Sequence, residues 1–288
     1  MLDPIFVIYR DTGGLMTQSY GDYWNMVRMW NFPTCEFKDI DYADSSKCYI
    51  WTTHIGNPTQ VFMTEEARAR KCKLVFWNLE WCNWKDGKLI GFEGSDFLGI
   101  EAHVDEMWVS DRYLMSLLHR FKPESAHKVK FICLGGHPDF GLNPKDYDSR
   151  EFHWDFAHLM YLTGVRGQKF HSIMQAGNSM APASFDMEQR HHVLSHSRWG
   201  LNLHQNSFPC LSPQRFMIFA SYGLPIVTDY CADPYPFSVF QDGLVHWNPR
   251  KSSVMNKEIR DEAIQRNYRL VTGSMSFRAE VERMAGNA

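Results

Sequence analysis

Residues 199–229, WGLNLHQNSFPCLSPQRFMIFASYGLPIVTD, leave the chain few ways to fold. Trp199 to His204 starts apolar and turns polar, as a short buried strand does when it delivers a side chain to the carboxyl edge of a sheet. Ser212-Pro213 then marks a helix start. Serine can cap free backbone N–H groups, and proline suits the first helical position because it has no N–H to leave unsatisfied. Gly223 ends the helix, and Leu224 to Val227 re-enters the sheet. Strand, loop, helix, strand is a nucleotide-type α/β unit. Its helix start is an anion site, because free N–H groups and the positive end of the dipole meet there. Arg215, in the first turn, adds a guanidinium able to hold two phosphate oxygens, as a diphosphate would require. The bland alternative is a surface arginine on an ordinary αβ unit.

The rest of the chain repeats the theme. Strand-like runs at Pro4 to Tyr9, Lys47 to Thr53, Lys73 to Asn78, Val104 to Ser110 and Val129 to Leu134 alternate with helical patterns, which implies a parallel sheet. Asp111 is placed to cap one of those helices, running to about Phe121. Pro138 to Arg150 is polar and rich in Pro, Gly, Asn and Asp, the composition of a connection. A second series follows: a strand at Trp154 to Leu162, a loop at Gly164 to Gly167, helices from Lys169 and over Asp186 to Ser197, the unit above, a strand at Leu244 to Trp247, and closing helices at Lys257 to Leu270 and Phe277 to Met284. With 288 residues, the chain exceeds the usual single-domain length of about 100–200 residues. Two doubly wound, Rossmann-like α/β domains are expected, 1–145 and 151–288, facing each other across a cleft. Ligands in such sheets bind beyond the carboxyl ends of the strands.

Composition narrows the class. The charged fraction of 22% is too low for a disordered chain and the hydrophobic fraction of 44% is that of a globular one. Seven cysteines without a CxxC pair argue against a disulfide framework and a structural zinc site, and suit a reducing cytoplasm; Cys48, Cys72 and Cys133 read as buried apolar residues. No apolar run approaches the roughly 18 residues needed to span a bilayer, so no membrane partner is expected. A net charge of −3 gives no global attraction to nucleic acid. The strand-following loops that carry chemistry include Asp11 to Gly14, His54 to Asn57, Glu80, Gly135 to His137, Gly164 to Lys169 and His204 to Arg215.

LNLHQNSFPCLSPQRF followed by ASYGLPIVTD resembles the donor-binding half of glycosyltransferases with the GT-B fold. KLVFWNLEW, VDEMWVSDR and FICLGGHPDF resemble the last strands of the amino-terminal domain in the same group. The resemblance implies a nucleotide-diphosphate sugar, taken as a UDP-sugar, as co-substrate with no tightly bound cofactor. The carboxyl-terminal domain would hold that donor and the amino-terminal domain the acceptor. By position, Gly164, Arg166 and Lys169 stand where the first donor-domain loop meets the phosphates, and His204 ends the strand facing the donor sugar. Ser212 and Arg215 open the diphosphate helix, and Gly136 and His137 lie in the interdomain loop. The chain departs from the pattern of many retaining members: Ile218 and Cys210 stand where their two glutamates fall.

Transfer of a sugar requires stabilisation of the departing diphosphate and, with inversion, a base for the acceptor hydroxyl. Arg166, Lys169 and Arg215 are candidates for the first task. Asp11, His54 and Glu80, at strand ends of the first half, are candidates for the second; each also has a plain structural reading as turn cap, loop histidine or ion-pair member. The acceptor is open between a saccharide, a protein hydroxyl and a hydroxymethylated base in DNA. The last would use Trp24, Trp30, Trp51 or Trp84 for stacking and Arg68, Arg70, Lys71 and Lys73 for phosphates. Loss of both glutamates also makes a catalytically inactive nucleotide-binding scaffold an alternative. His192 and His196, four apart, have a zinc-compatible spacing but lack the HExxH glutamate and an obvious third ligand, so no metal is expected. A dehydrogenase is disfavoured because DTGGLM, not GxGxxG, follows the first strand.

Overall fold

A computed structural model describes residues 2–8, 15–52, 64–79, 83–85, 88–90, 100–183, 187–204, 211–241 and 257–286, with backbone alone for 15–20, 83–85, 88–90 and 187. The chain forms two compact units, Met1–Cys133 with Phe277–Ala288, and Leu134–Ser276.

The first unit is built on a parallel six-stranded sheet ordered β2-β1-β3-β4-β7-β8. Its strands are β1 (Asp3–Ile8), β2 (Thr34–Glu36), β3 (Lys47–Thr52), β4 (Lys73–Asn78), β7 (Glu106–Val109) and β8 (Val129–Phe131). A separate hairpin pairs β5 (Asn83–Lys85) with β6 (Lys88–Ile90). Successive side chains of a strand face opposite ways, so both faces must be covered. Val7, Tyr49, Trp51, Leu74, Phe76 and Val109 share one buried cluster with Leu114 and Leu118 of α3 (Arg112–Phe121); α1 spans Leu15–Met29 and α2 is the single turn Glu65–Arg68. Asp111 caps α3 as expected, accepting from Leu114 N at 3.0 Å.

The alternate residues Phe6 and Trp77 meet Tyr23 of α1 and Phe277, whose ring lies 5.6–5.7 Å from all three rings. Phe277 opens the last helix, which therefore belongs to the first unit. Glu280 of that helix accepts from Cys133 N at 2.8 Å, and the Lys73 ammonium donates to Met284 O at 3.2 Å. Cys48, Cys72 and Cys133 are buried free thiols, and burial pushes the Cys48 thiol up to about 12.

The second unit has a parallel sheet ordered β12-β11-β10-β9, made of β9 (Trp154–His158), β10 (Ser197–Asn202), β11 (Ile226–Thr228) and β12 (Val239–Phe240). Its helices are α4 (Gly164–Gln175), α5 (Met187–Ser195), α6 (Pro213–Ser221) and α7 (Lys257–Arg269); α8 is Phe277–Ala285 of the first unit. Helix α6 is buried from Phe216 through Ser221. Close approach explains Gly200: a Cβ there would stand 2.3 Å from the Phe219 ring, so only glycine lets the helix settle on β10.

Several expectations shift. The strand expected to reach Leu162 ends at His158, and Gly164 to Gly167 is not a loop but the first turn of α4. Gly164 has φ +53°, a left-handed turn into the helix that advances its start by five residues relative to Lys169. The 138–150 stretch, expected as a connection between domains 1–145 and 151–288, packs within the second unit. Tyr147 is 4% exposed and its hydroxyl donates to Arg198 O at 2.6 Å, while Arg150 donates to Tyr222 O at 2.8 Å. The strand expected at 244–247 lies outside the described residues.

Candidate functional site

Three neighbouring parallel strands, β9, β10 and β11, end on one edge of the second sheet with His158, Asn202 and Thr228. The polar groups that the strands release there converge on three consecutive residues. Asn202 donates to Thr228 Oγ1 at 2.9 Å and its amide oxygen accepts from Arg215. Leu203 O accepts from Arg166 Nε at 2.9 Å, and the same guanidinium donates to Tyr161 O at 3.0 Å. The His204 backbone N–H donates to both oxygens of Asp229, at 3.0 and 3.1 Å, and its ring Nδ1 bonds Asp229 Oδ1. Lys169 Nζ reaches the other oxygen, Asp229 Oδ2, at 2.5 Å.

The register explains why these side chains meet. Asn202 lies opposite Thr228 in the β10–β11 ladder, so the residues just beyond each strand, His204 and Asp229, fall side by side. Helix α4 begins after β9 and brings Arg166 and Lys169 across one turn, while α6 begins after β10 and brings Arg215 into its own first turn. Arg166 is 8% exposed, and burial pulls its guanidinium below the ordinary value against the upward pull of Asp229. Burial raises the Asp229 carboxyl, but the bonds from His204 and Lys169 outweigh it and hold the group below the ordinary carboxylate range.

His158 is buried, and its Nδ1 has no hydrogen-bond partner among the described residues. Desolvation first, then the nearby charges of Arg215 and Arg166, push its imidazole down to about 4 despite backbone bonds to Met160 and Ala181. The ring is therefore neutral near pH 7. Gln214 Nε2, beside Arg215, is likewise buried without an acceptor among the described residues. An unpaired buried donor costs about 1–3 kcal/mol, and an incoming acceptor would recover it.

The other expected residues fall as follows. Ser212 occupies the N-cap position of α6, but its hydroxyl makes no capping bond; its backbone carbonyl accepts from Phe216 N at 3.1 Å instead. Gly164 starts α4. Gly136 donates to Val271 O at 2.8 Å, and a Cβ there would come 2.6 Å from Ser221 Oγ. Ser221 ends the nine-residue helix that Pro213 begins, so Gly136 sits at the opposite end of that helix from the first turn that carries Arg215. His137 Nδ1 accepts from Asp139 N at 3.1 Å. Asp11, His54 and Glu80 lie outside the described residues. Ile218, in place of a glutamate, is 3% exposed within the apolar helix, and Cys210 is outside the described residues.

The features weighed for DNA are partly committed elsewhere. Trp51 is 2% exposed in the first core, Trp24 packs against that core, and Arg278 lies over the Trp30 ring. Arg70 pairs with Asp105 at 3.0 Å and Lys73 with Glu106 at 3.0 Å. Trp84 has no described side chain. His153, absent from the sequence argument, joins His192 and His196: ring centroids lie 4.6 Å apart for His153–His196 and 4.4 Å for His192–His196. The rings are stacked or tilted, and among the described residues no group of three or more His, Cys, Asp or Glu is arranged to hold a metal ion.

Sequence reasoning missed His158, Asn202 and Asp229. Asp229 closes the very motif that drew attention to the region, but its partners are set by strand order, which local sequence does not reveal.

No family model and no curated protein matches the chain in sequence. Solved structures do match in shape. Anabaena HepE in complex with UDP superposes with a TM-score of 0.57 at 10% identity, covering 99% of both chains. A glycosyltransferase from Rickettsia africae matches with a TM-score of 0.56 at 6% identity, over 99% of this chain and 97% of that one. The lipopolysaccharide outer core galactosyltransferase WaaB, in its apo form, matches with a TM-score of 0.53 at 11% identity, over 99% of this chain and 100% of that one. At such identities the likeness is one of fold.

Proposed function

The chain has the α/β fold with parallel sheets of the GT-B glycosyltransferases, and we propose that it transfers a sugar from a nucleoside diphosphate sugar to an acceptor hydroxyl. One observation carries the reading: Arg166, Lys169 and Arg215 gather around residues 202–204 at the carboxyl edge of the second sheet. Three cations against the one carboxylate of Asp229 leave an excess of two positive charges among these four side chains. Breaking the bond from the sugar C1 to the β-phosphate oxygen builds negative charge on the diphosphate, and fixed cations at a helix start stabilise it without rearranging. Arg215 supplies planar donors to the phosphates, and Lys169 adds a point charge. HepE, whose structure contains UDP, makes a uridine diphosphate sugar the first donor to test.

The acceptor hydroxyl must lose a proton as its oxygen bonds C1. In an inverting reaction that proton passes to Asp11, His54 or Glu80, the strand-end candidates of the first unit. Replacing the true base by Asn or Gln should lower kcat roughly 10²- to 10⁴-fold and leave UDP affinity intact.

The direct test is calorimetric titration with UDP, followed by incubation with a panel of UDP-sugars and measurement of released UDP. Micromolar binding with slow hydrolysis is the expected result. Tight binding without turnover, with saccharides, Ser/Thr peptides and hydroxymethylated DNA all offered, would make the chain a nucleotide-binding scaffold. No binding of any nucleoside diphosphate would remove the reading.

A further inference from the structure

Each cation at this edge rests on a different kind of acceptor: Arg166 on two backbone carbonyls, Lys169 on the Asp229 carboxylate and Arg215 on the side-chain amide of Asn202. An amide end carries an oxygen that accepts and an NH2 group that donates. A guanidinium only donates, so the oxygen must face Arg215 and the NH2 group must find an acceptor elsewhere. Thr228 provides it. Asn202 Nδ2 donates to Thr228 Oγ1 at 2.9 Å, and Thr228 lies opposite Asn202 in the β10–β11 ladder, so strand register sets the hydroxyl where the amide needs it. Both residues are fully buried, and away from water such bonds are stronger and their loss costlier.

We propose that Asn202 is a positioning residue for donor binding: anchored by Thr228 on one side, its amide oxygen fixes the plane of the Arg215 guanidinium at the start of α6, where the donor diphosphate binds. This rests on the nucleotide-sugar reading above. A guanidinium carries its donors in one plane, so a bond at Nη1 sets the direction of the whole group. Less side-chain freedom is then left to lose when the phosphates arrive. An amide does this without setting a further negative charge beside them. Asn202 itself touches no phosphate in this role.

The test is a double-mutant cycle on UDP affinity of the full chain, read by ligand-observed NMR so that millimolar binding is measurable; ADP, GDP, CDP and dTDP follow in turn should UDP not bind. Asn202→Leu should weaken UDP about 10-fold in the wild-type background and less than about 2-fold in Arg215→Ala, because the amide acts only through that guanidinium. Thr228→Val should weaken UDP about 3-fold with the same dependence on Arg215, and Thr228→Ser, which keeps the hydroxyl, should bind as the wild type does. A merely structural role would lower the urea midpoint and either leave affinity alone or reduce it by one factor with and without Arg215.

Equal losses in the two backgrounds, or wild-type affinity in Asn202→Leu, overturn the proposal and spare the glycosyl-transfer reading. The threonine variants decide the matter even if Asn202→Leu does not fold, since wild-type affinity in Thr228→Val overturns it too. Unchanged affinity in Arg215→Ala does the same, because the amide would then hold a group that the nucleotide does not use. Failure of the wild type to bind any of these nucleoside diphosphates overturns both.

Discussion

Arg166 and Arg215 look alike in sequence, one in the first turn of each site helix, yet their loss should differ. Arg166 holds two backbone carbonyls from a buried position, so Arg166→Met strands both acceptors and should lower unfolding free energy by roughly 2–4 kcal/mol in urea titrations. Arg215 binds a side-chain amide and is half-buried. Arg215→Ala strands one buried acceptor, Asn202 Oδ1, so it should lower unfolding free energy by only about 1–2 kcal/mol while weakening UDP about 10- to 100-fold, the worth of one charge-assisted contact; equal affinity would move the phosphate site elsewhere. His158 gives a pH signature. Its folded value of about 4 lies below the ordinary 6.5, so on acidification the unfolded chain gains a proton before the folded one. Stability therefore falls between pH 6.5 and about 4, by up to about 3 kcal/mol. Urea titrations at pH 7 and 4.5 should show the loss in wild type and a smaller one in His158→Phe. Asp229, with its lowered carboxyl, stabilises above its unfolded value and adds a further loss only below about pH 4. At this scale the 199–229 run pointed to Arg215 and the family resemblance to Arg166, Lys169 and His204, whereas His158, Asn202 and Asp229 became meaningful only once β9, β10 and β11 were neighbours.

Helix α6 shows what an element's burial permits. Both its capping proline and its glycine stop are readable in sequence, because they act locally. Its close seat on the sheet is not, since Gly200 matters only through the Phe219 ring above it. Gly200→Ala should cost about 1–3 kcal/mol by overpacking, measured as a shift in urea midpoint. Introducing at this position the acid that many retaining glycosyltransferases carry, Ile218→Glu, would bury a carboxylate among apolar side chains and should destabilise the fold by several kcal/mol. β2, β12 and the β5–β6 hairpin escaped sequence reading because two or three residues cannot display an alternating pattern. The α4 start was misjudged because its left-handed glycine reads as a loop.

Over the whole molecule, two parallel-stranded units and their order along the chain were legible from alternating strand and helix patterns. Two features were not. The 138–150 stretch has the composition of a linker, yet Tyr147 and Arg150 tie it into the second unit. The closing helix has an amphipathic pattern that does not say which sheet it covers, and it covers the first. Phe277→Ala should therefore destabilise the first unit by about 3–5 kcal/mol while UDP binding to the second persists, as two urea transitions monitored with and without UDP would show. The return of residues 277–285 also bears on biosynthesis. A unit assembled from two separated segments must wait on the ribosome for the later one, whereas the uninterrupted Leu134–Ser276 segment can close as soon as it emerges. The unit begun first is thus completed after the one begun second, with Phe6, Tyr23 and Trp77 left in search of a cover until Phe277 arrives.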